Sequence, residues 1–133
     1  NFISLIPFLQ NIISNLDFTK ETSLWVFSSV AADLGKPSNF IYGAAKSALT
    51  TYCEGLALKF INSKFKVRVI KAGYIDTKMS KGKTPSFLTI KPNLVAKYLL
   101  KSFNKSGVEY FPKWWKLTMI FVKLLPAKLA SKL

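Results

Sequence analysis

The chain has 133 residues, half of them apolar, with 20 Lys or Arg against 6 Asp or Glu, no His and one Cys. That length allows one ordinary domain or a large piece of one. Without His and with a single Cys, several chemistries are excluded: Ser-His-Asp and Cys-His catalysis, His-based zinc sites, Cys-x-x-Cys redox pairs and intrachain disulfides. Acid–base work near neutral pH then falls to a carboxylate, Lys, Tyr or Cys, and no metal site is expected.

Residues 2–16 are mostly apolar and read as a largely buried helix ending near Asn15, followed by a polar turn from Asp17. Leu24 to Ser29 is a short aromatic and β-branched run that ends in hydroxyls, the pattern of a buried strand. A loop with Gly35 and Pro37 follows. From Ile41 to about Asn62, Ala45, Leu49, Cys53, Leu56, Ala57 and Phe60 recur at three and four, predicting a helix with one buried face. Lys66 to Gly73 reads as a second strand, and residues 75–92 as a polar, Lys-rich segment long enough to be a lid, carrying Lys78, Lys81 and Lys83. Pro92 opens another helix with Leu94, Val95, Tyr98 and Leu99 facing inward and Gly107 as its stop. Val108 to Pro112 is a third short strand, and a final apolar helix begins at Lys113.

This alternation of helices and strands predicts an α/β fold of βαβ units, a parallel sheet with helices on both faces. Two parts are expected, residues 1–112 as an α/β portion and residues 113–133 as an apolar, Lys-rich helix. Charge divides the same way: residues 1–76 hold 8 basic and 5 acidic groups, residues 77–133 hold 12 and 1. All the basic residues but Arg68 are Lys, which argues against nucleic acid as a partner, since readers of bases favour Arg forks.

The strongest constellation is SSVAADLGKPSNFIYGAAK. Ser29 ends a strand, Tyr42 opens a helix 13 residues later, and Lys46 follows at i+4. Side chains at i and i+4 share one helix face, so the phenol and the ammonium can meet in one pocket. An ammonium beside a Tyr favours phenolate and moves its pKa down from about 10, a route to acid–base chemistry that needs no His. Tyr-x-x-x-Lys alone is a weak motif. The hydroxyl pair at a strand end, the interval, the small residues after Tyr42 and a following strand ending in Ala72-Gly73 give it context.

Together these residues resemble the short-chain dehydrogenase/reductase family, with the whole chain corresponding to the C-terminal half of that family's domain. The resemblance implies a Rossmann-like, doubly wound parallel sheet, here its C-terminal portion of about three strands with the N-terminal half missing. It implies Ser29, Tyr42 and Lys46 as the catalytic set, with Asn1, 28 residues before Ser29, as a fourth member holding a proton-relaying water. Ala72, Gly73, Ile75 and Thr77, with Tyr42 and Lys46, are implied to contact the nicotinamide half of NAD or NADP; Ala72 stands where the family usually has Pro. The family's glycine-rich pyrophosphate turn is absent, because none of the six glycines lies closer than eight residues to another. With Asn1 in place of an initiator Met, the sequence reads as a truncated chain whose sheet edge would be left unpaired.

The segment 113–133 mixes Trp114, Trp115, Met119, Ile120, Phe121, Val122, Leu124 and Leu125 with five Lys. On a helical wheel Trp115, Met119, Val122, Leu125 and Leu129 share a face, and Pro126 should break the helix near Leu125. The pattern suits peripheral contact with an anionic membrane, with core helix or oligomer contact as the alternatives. With SSVA and SNFIYG, this tail is similar to the branch of decaprenylphosphoryl keto-pentose reductases, implying a lipid-linked substrate and a cytoplasmic site at the inner membrane face. Reduction of sterols, sphingoid bases or other hydrophobic ketones, and a non-catalytic or regulatory relative without cofactor, stay open. The family also implies a homo-oligomer formed through the helices at residues 2–15 and 41–62.

Overall fold

The computed structural model describes residues 2–78, 80, 84 and 86–132. Asn1, and Lys81 and Lys83 of the expected lid, lie outside the described residues. The elements run α1 (Leu5–Ser14), β1 (Thr22–Ser29), α2 (Phe40–Lys59), β2 (Phe65–Ala72), α3 (Pro92–Lys101), β3 (Gly107–Phe111), α4 (Trp115–Leu124) and α5 (Ala127–Ala130). Single turns of tighter helix stand at Val30–Ala32 and Ser86–Leu88. The three strands form one parallel sheet in the order β1-β2-β3, the Rossmann-like α/β arrangement expected.

Alternation along β2 divides the core. Phe65, Val67 and Val69 point to one face, where Leu9 of α1 and Leu49 and Cys53 of α2 cover them. Burying each of these larger apolar side chains stabilises the fold by about 1.5–3 kcal/mol. Ile70 points to the opposite face and packs with Val95 and Leu99 of α3. Pro7 is tolerated in α1 because the first helical turn has no use for its missing N–H, and Pro92 starts α3 for the same reason. Gly107 adopts a φ of +86°, so what reads as a helix stop is the left-handed residue that turns the chain into β3.

One inward assignment and one shared helix face do not hold. Leu94 is 52% exposed, because α3 turns only a narrow stripe, Val95 and Leu99, to the sheet. The helix face read for the tail, which suits a membrane interface, divides: Trp115 and Met119 are buried against Val30, whereas Leu125 and Leu129 are exposed. The chain leaves helical geometry at Leu125, Pro126 opens the separate α5, and the wheel drawn across that break loses its phase.

A charge sits in the core under α3. Arg68, fully buried, pairs with Glu109 of β3 and donates from Nη1 to the Leu99 and Ser102 carbonyls at 3.2 and 3.0 Å. Its Nη2 donates to Ser102 Oγ at 2.7 Å, and the guanidinium lies over the Trp25 and Tyr98 rings. Every polar edge of the fork is satisfied, which is the condition for burying it. Arg68→Met in the full-length protein should lower unfolding stability by about 3 kcal/mol because Glu109, mostly buried, loses the guanidinium and keeps only the Tyr98 hydroxyl and the half-exposed Lys105 as partners. Urea denaturation measures this, and adding Glu109→Leu should recover part of the loss.

Candidate active site

β1 and β2 are in register with Ser29 opposite Ala72, so both strands end together and Gly73 emerges beside the Ser29 pair. Ser29 caps the short helix at Val30–Ala32: its Oγ accepts the Ala31 N–H at 3.1 Å, and among the described residues its own proton has no acceptor. α2 then returns over this strand end at close range. A Cβ at Gly43 would lie 2.8 Å from the Ala31 carbonyl oxygen, so only glycine allows the approach. A hydroxyl chain ties the two elements. Ser28 Oγ lies 2.7 Å from Thr50 Oγ1, and Thr50 donates to the Lys46 carbonyl at 2.8 Å.

That docking places Tyr42 and Lys46. Lys46 Nζ lies 5.8 Å from the Tyr42 ring centroid and donates to the Phe27 carbonyl at 2.9 Å. Burial pushes the Lys46 pKa down from the ordinary lysine value. Among the described residues one N–H of the ammonium is spent on Phe27, leaving two, and the Tyr42 hydroxyl has no partner.

A cleft of about 340 Å³ opens over the C-terminal ends of β1 and β2. It brings together Ser29, Tyr42, Lys46, Ala72, Gly73, Ile75 and Thr77, every sequence-predicted site residue that the structure describes. Brought in with them are Asn39, Ser80, Trp115 and Met119, which the sequence reading did not assign to the site. Ser80 pins the segment after β2: its Oγ donates to the Ile75 carbonyl at 2.6 Å and accepts the Thr77 N–H at 3.0 Å. A bridge between Ile75 and Ile90 holds the far end of the same segment. Beyond β3 the chain brings Trp115, the first residue of α4, over Gly73, so close that a Cβ there would sit 1.9 Å from Nε1.

The wall behind the cleft is clamped by Asp33. Lys71 Nζ donates to Asp33 Oδ1 at 2.6 Å and Tyr110 Oη donates to Asp33 Oδ2 at 2.8 Å. Burial first, and the Asp33 carboxylate second, push the Tyr110 hydroxyl pKa well above its usual range, so Tyr110 serves as a fixed donor. Among the described residues no cluster of His, Cys, Asp and Glu could hold a metal ion.

The cleft thus presents a phenol, a serine hydroxyl and an ammonium with unused hydrogen-bonding capacity, at the carboxyl ends of parallel strands, where open α/β sheets bind ligands. The short chain dehydrogenase family profile matches residues 1–86, and the chain belongs to that family. It is 29% identical over 129 residues to an uncharacterized oxidoreductase of Mycobacterium tuberculosis strain H37Rv, and equally to one from strain CDC 1551. Each alignment covers 95% of this chain and 51% of the relative, so the chain spans about half the length of the curated relatives it matches. Among solved structures it shares its fold with BdcA, crystallised in complex with NADPH, at a TM-score of 0.55 and 23% identity over 66% of this chain and 43% of that one.

Cys53 lies outside this chemistry. It is fully buried between α2 and the sheet, and burial pushes its thiol up to about 11. In the native full-length protein at pH 8 Cys53 should stay unmodified by Ellman's reagent and react once urea unfolds the chain. Labelling at the same rate in both states would contradict the packing.

Proposed function

We propose that the chain carries the catalytic half of an NAD(P)(H)-dependent oxidoreductase that interconverts a carbonyl compound and its alcohol. The observation that carries this reading is the convergence of Ser29, Tyr42 and Lys46 on one cleft with free donors. The donor set fits the nicotinamide end of the cofactor. The two remaining N–H groups of Lys46 suit a ribose diol, and Ala72, Gly73, Ile75 and Thr77 line the same cleft for the ring and its carboxamide. BdcA, with the same fold, was crystallised with NADPH.

When bound, the nicotinamide supplies or accepts the hydride. Ser29 donates its free proton as a hydrogen bond to the substrate oxygen. Tyr42 gives its phenolic proton to that oxygen in reduction and takes the alcohol proton in oxidation. Lys46 holds the ribose, with its ammonium 5.8 Å from the centre of the Tyr42 ring. Asn1 is assigned by sequence alone as the holder of a water that returns protons toward Lys46.

Tyr42→Phe in the full-length protein should lower kcat/KM by about a thousandfold, the scale of a lost general acid, with an unchanged circular dichroism spectrum. Near wild-type turnover would remove the assignment. Because burial lowers the Lys46 pKa, its ammonium is lost at a lower pH than that of a free lysine. The alkaline limb of the kcat/KM profile should therefore turn down below the ordinary value of about 10.4.

For the substrate we propose a hydrophobic or lipid-linked carbonyl compound, of which a polyprenyl-phosphate keto-pentose is one form. Val30, Ala31 and Met119 give the cleft apolar walls, and Lys36 adds a cation suited to a phosphate. The outer stripe of α4 supports peripheral contact with the inner face of a membrane. Leu117, Ile120, Phe121 and Leu124 are exposed at helical spacing, flanked by Lys113, Lys116, Lys123 and Lys128, with no acidic residue after Glu109. No described helix is long and apolar enough to cross a membrane. Exposed Phe8 on α1 and Ile41 and Leu58 on α2 suit pairing of copies in the full-length protein. Sedimentation with phosphatidylglycerol vesicles, weak with phosphatidylcholine and reduced about tenfold by Leu117→Glu with Phe121→Glu, is the expected outcome for α4.

A further inference from the structure

Among the described residues, two buried side-chain polar atoms have no hydrogen-bond partner, Trp115 Nε1 and Asn39 Oδ1. Both residues line the cleft that holds Tyr42 and Lys46. Buried polar groups in folded proteins are almost always paired, so two orphans in one cleft mark places that a ligand is built to satisfy. Neither is accounted for by Ser29, Tyr42 and Lys46.

Trp115 is held firmly. It is 7% exposed, stacks on Trp114 with centroids 4.6 Å apart, meets Tyr74 edge-on at 5.5 Å, and covers Gly73. The indole can only donate. Asn39 stands at the N-terminus of α2, three residues before Tyr42, yet its side chain makes no capping hydrogen bond. An Asn in that position ordinarily turns its oxygen onto the helix's free N–H groups. Here the oxygen stays buried and unpaired, on a residue that lines the cleft.

We propose that Trp115 and Asn39 are the specificity residues of the cleft and that they recognise a hydroxyl on the substrate beside its reacting carbonyl, that is, an α-hydroxy ketone or its diol product. A hydroxyl accepts from the indole N–H and donates to the amide oxygen, and it satisfies the amide turned either way. A plain ketone chain would leave both protein groups buried and unpaired, and sites built to hydrogen-bond a hydroxyl discriminate against analogues that lack it. The inference rests on the carbonyl-reducing reading of the same cleft.

The test compares hydroxyacetone with butanone, which differ by a hydroxyl in place of a methyl. In the 15N-labelled full-length protein, the indole N–H resonance that disappears in Trp115→Phe should shift on titration with hydroxyacetone and hardly move with butanone. Trp115→Phe, which keeps a ring over Gly73, and Asn39→Ala, which removes no cap bond, should each lower the hydroxyacetone-to-butanone ratio of kcat/KM about tenfold, the scale of one lost hydrogen bond. Equal response of the indole resonance to both ketones, or an unchanged ratio in both variants, overturns the proposal. Failure of the oxidoreductase reading looks different: Tyr42→Phe keeps full turnover, or neither ketone is reduced. The indole titration needs no turnover and decides the hydroxyl recognition in either case.

Discussion

The close seating of α2 on the end of β1 governs the rest of the structure. Gly43 lets the helix backbone meet the Ala31 carbonyl, and the Ser28–Thr50–Lys46 hydroxyl chain fixes its rotation and register from within the core. Tyr42 and Lys46 are on the first turns of that helix and Ser29 is on the strand beneath, so one contact sets all three relative to each other. Burying the Lys46 amine is unfavourable, and its bond to the Phe27 carbonyl offsets part of that cost while aiming the head group. A side chain at position 43 would lift the helix and separate phenol from serine. Gly43 therefore shapes the cleft, although it has no side chain to line it.

The remaining polar networks hold this seating still. On one face of the sheet Arg68 spans β2, β3 and the end of α3, and its complete set of partners makes a buried cation tolerable. At the C-terminal end Asp33 clamps the loop after Ser29 to Lys71 of β2 and Tyr110 of β3. Both networks join elements distant in sequence, so each fixes topology as well as local geometry. Between them, Ser80 Oγ holds Ile75 and Thr77 at the exit of β2, and the Ile75–Ile90 bridge ties that exit to the approach to α3.

Much of this was legible in the sequence because it follows from local periodicity. The β-branched runs end in Ser29 and in Ala72-Gly73, and the i, i+4 spacing places Tyr42 and Lys46 on one face without reference to the rest of the chain. What was illegible depends on long-range closure. Trp115 reads as one face of an amphipathic helix, and a helical wheel says that a face is covered without saying by what; only the path from β3 back over Gly73 puts the indole in the cleft. Asn39 reads as an ordinary helix cap, and only the fold shows that its oxygen caps nothing. Leu94 and Leu125 fail for the complementary reason: the wheel assumes a wide buried face at the first and an unbroken helix at the second.

The charge asymmetry of the chain is best understood through α4, whose two sides face different environments. Its inner side places Trp115 and Met119 against Val30, at the cleft wall. Its outer side presents Leu117, Ile120, Phe121 and Leu124 among lysines, and an exposed apolar stripe with basic flanks gains free energy at an anionic interface. A ten-residue helix spans about 15 Å, and its two faces are separated by only a helix diameter of about 10 Å. The cleft wall and the exposed stripe are thus opposite sides of one short helix. The helix that turns Leu117, Ile120, Phe121 and Leu124 outward also carries the orphan indole donor, so one element joins an exposed apolar stripe to the wall of the cleft.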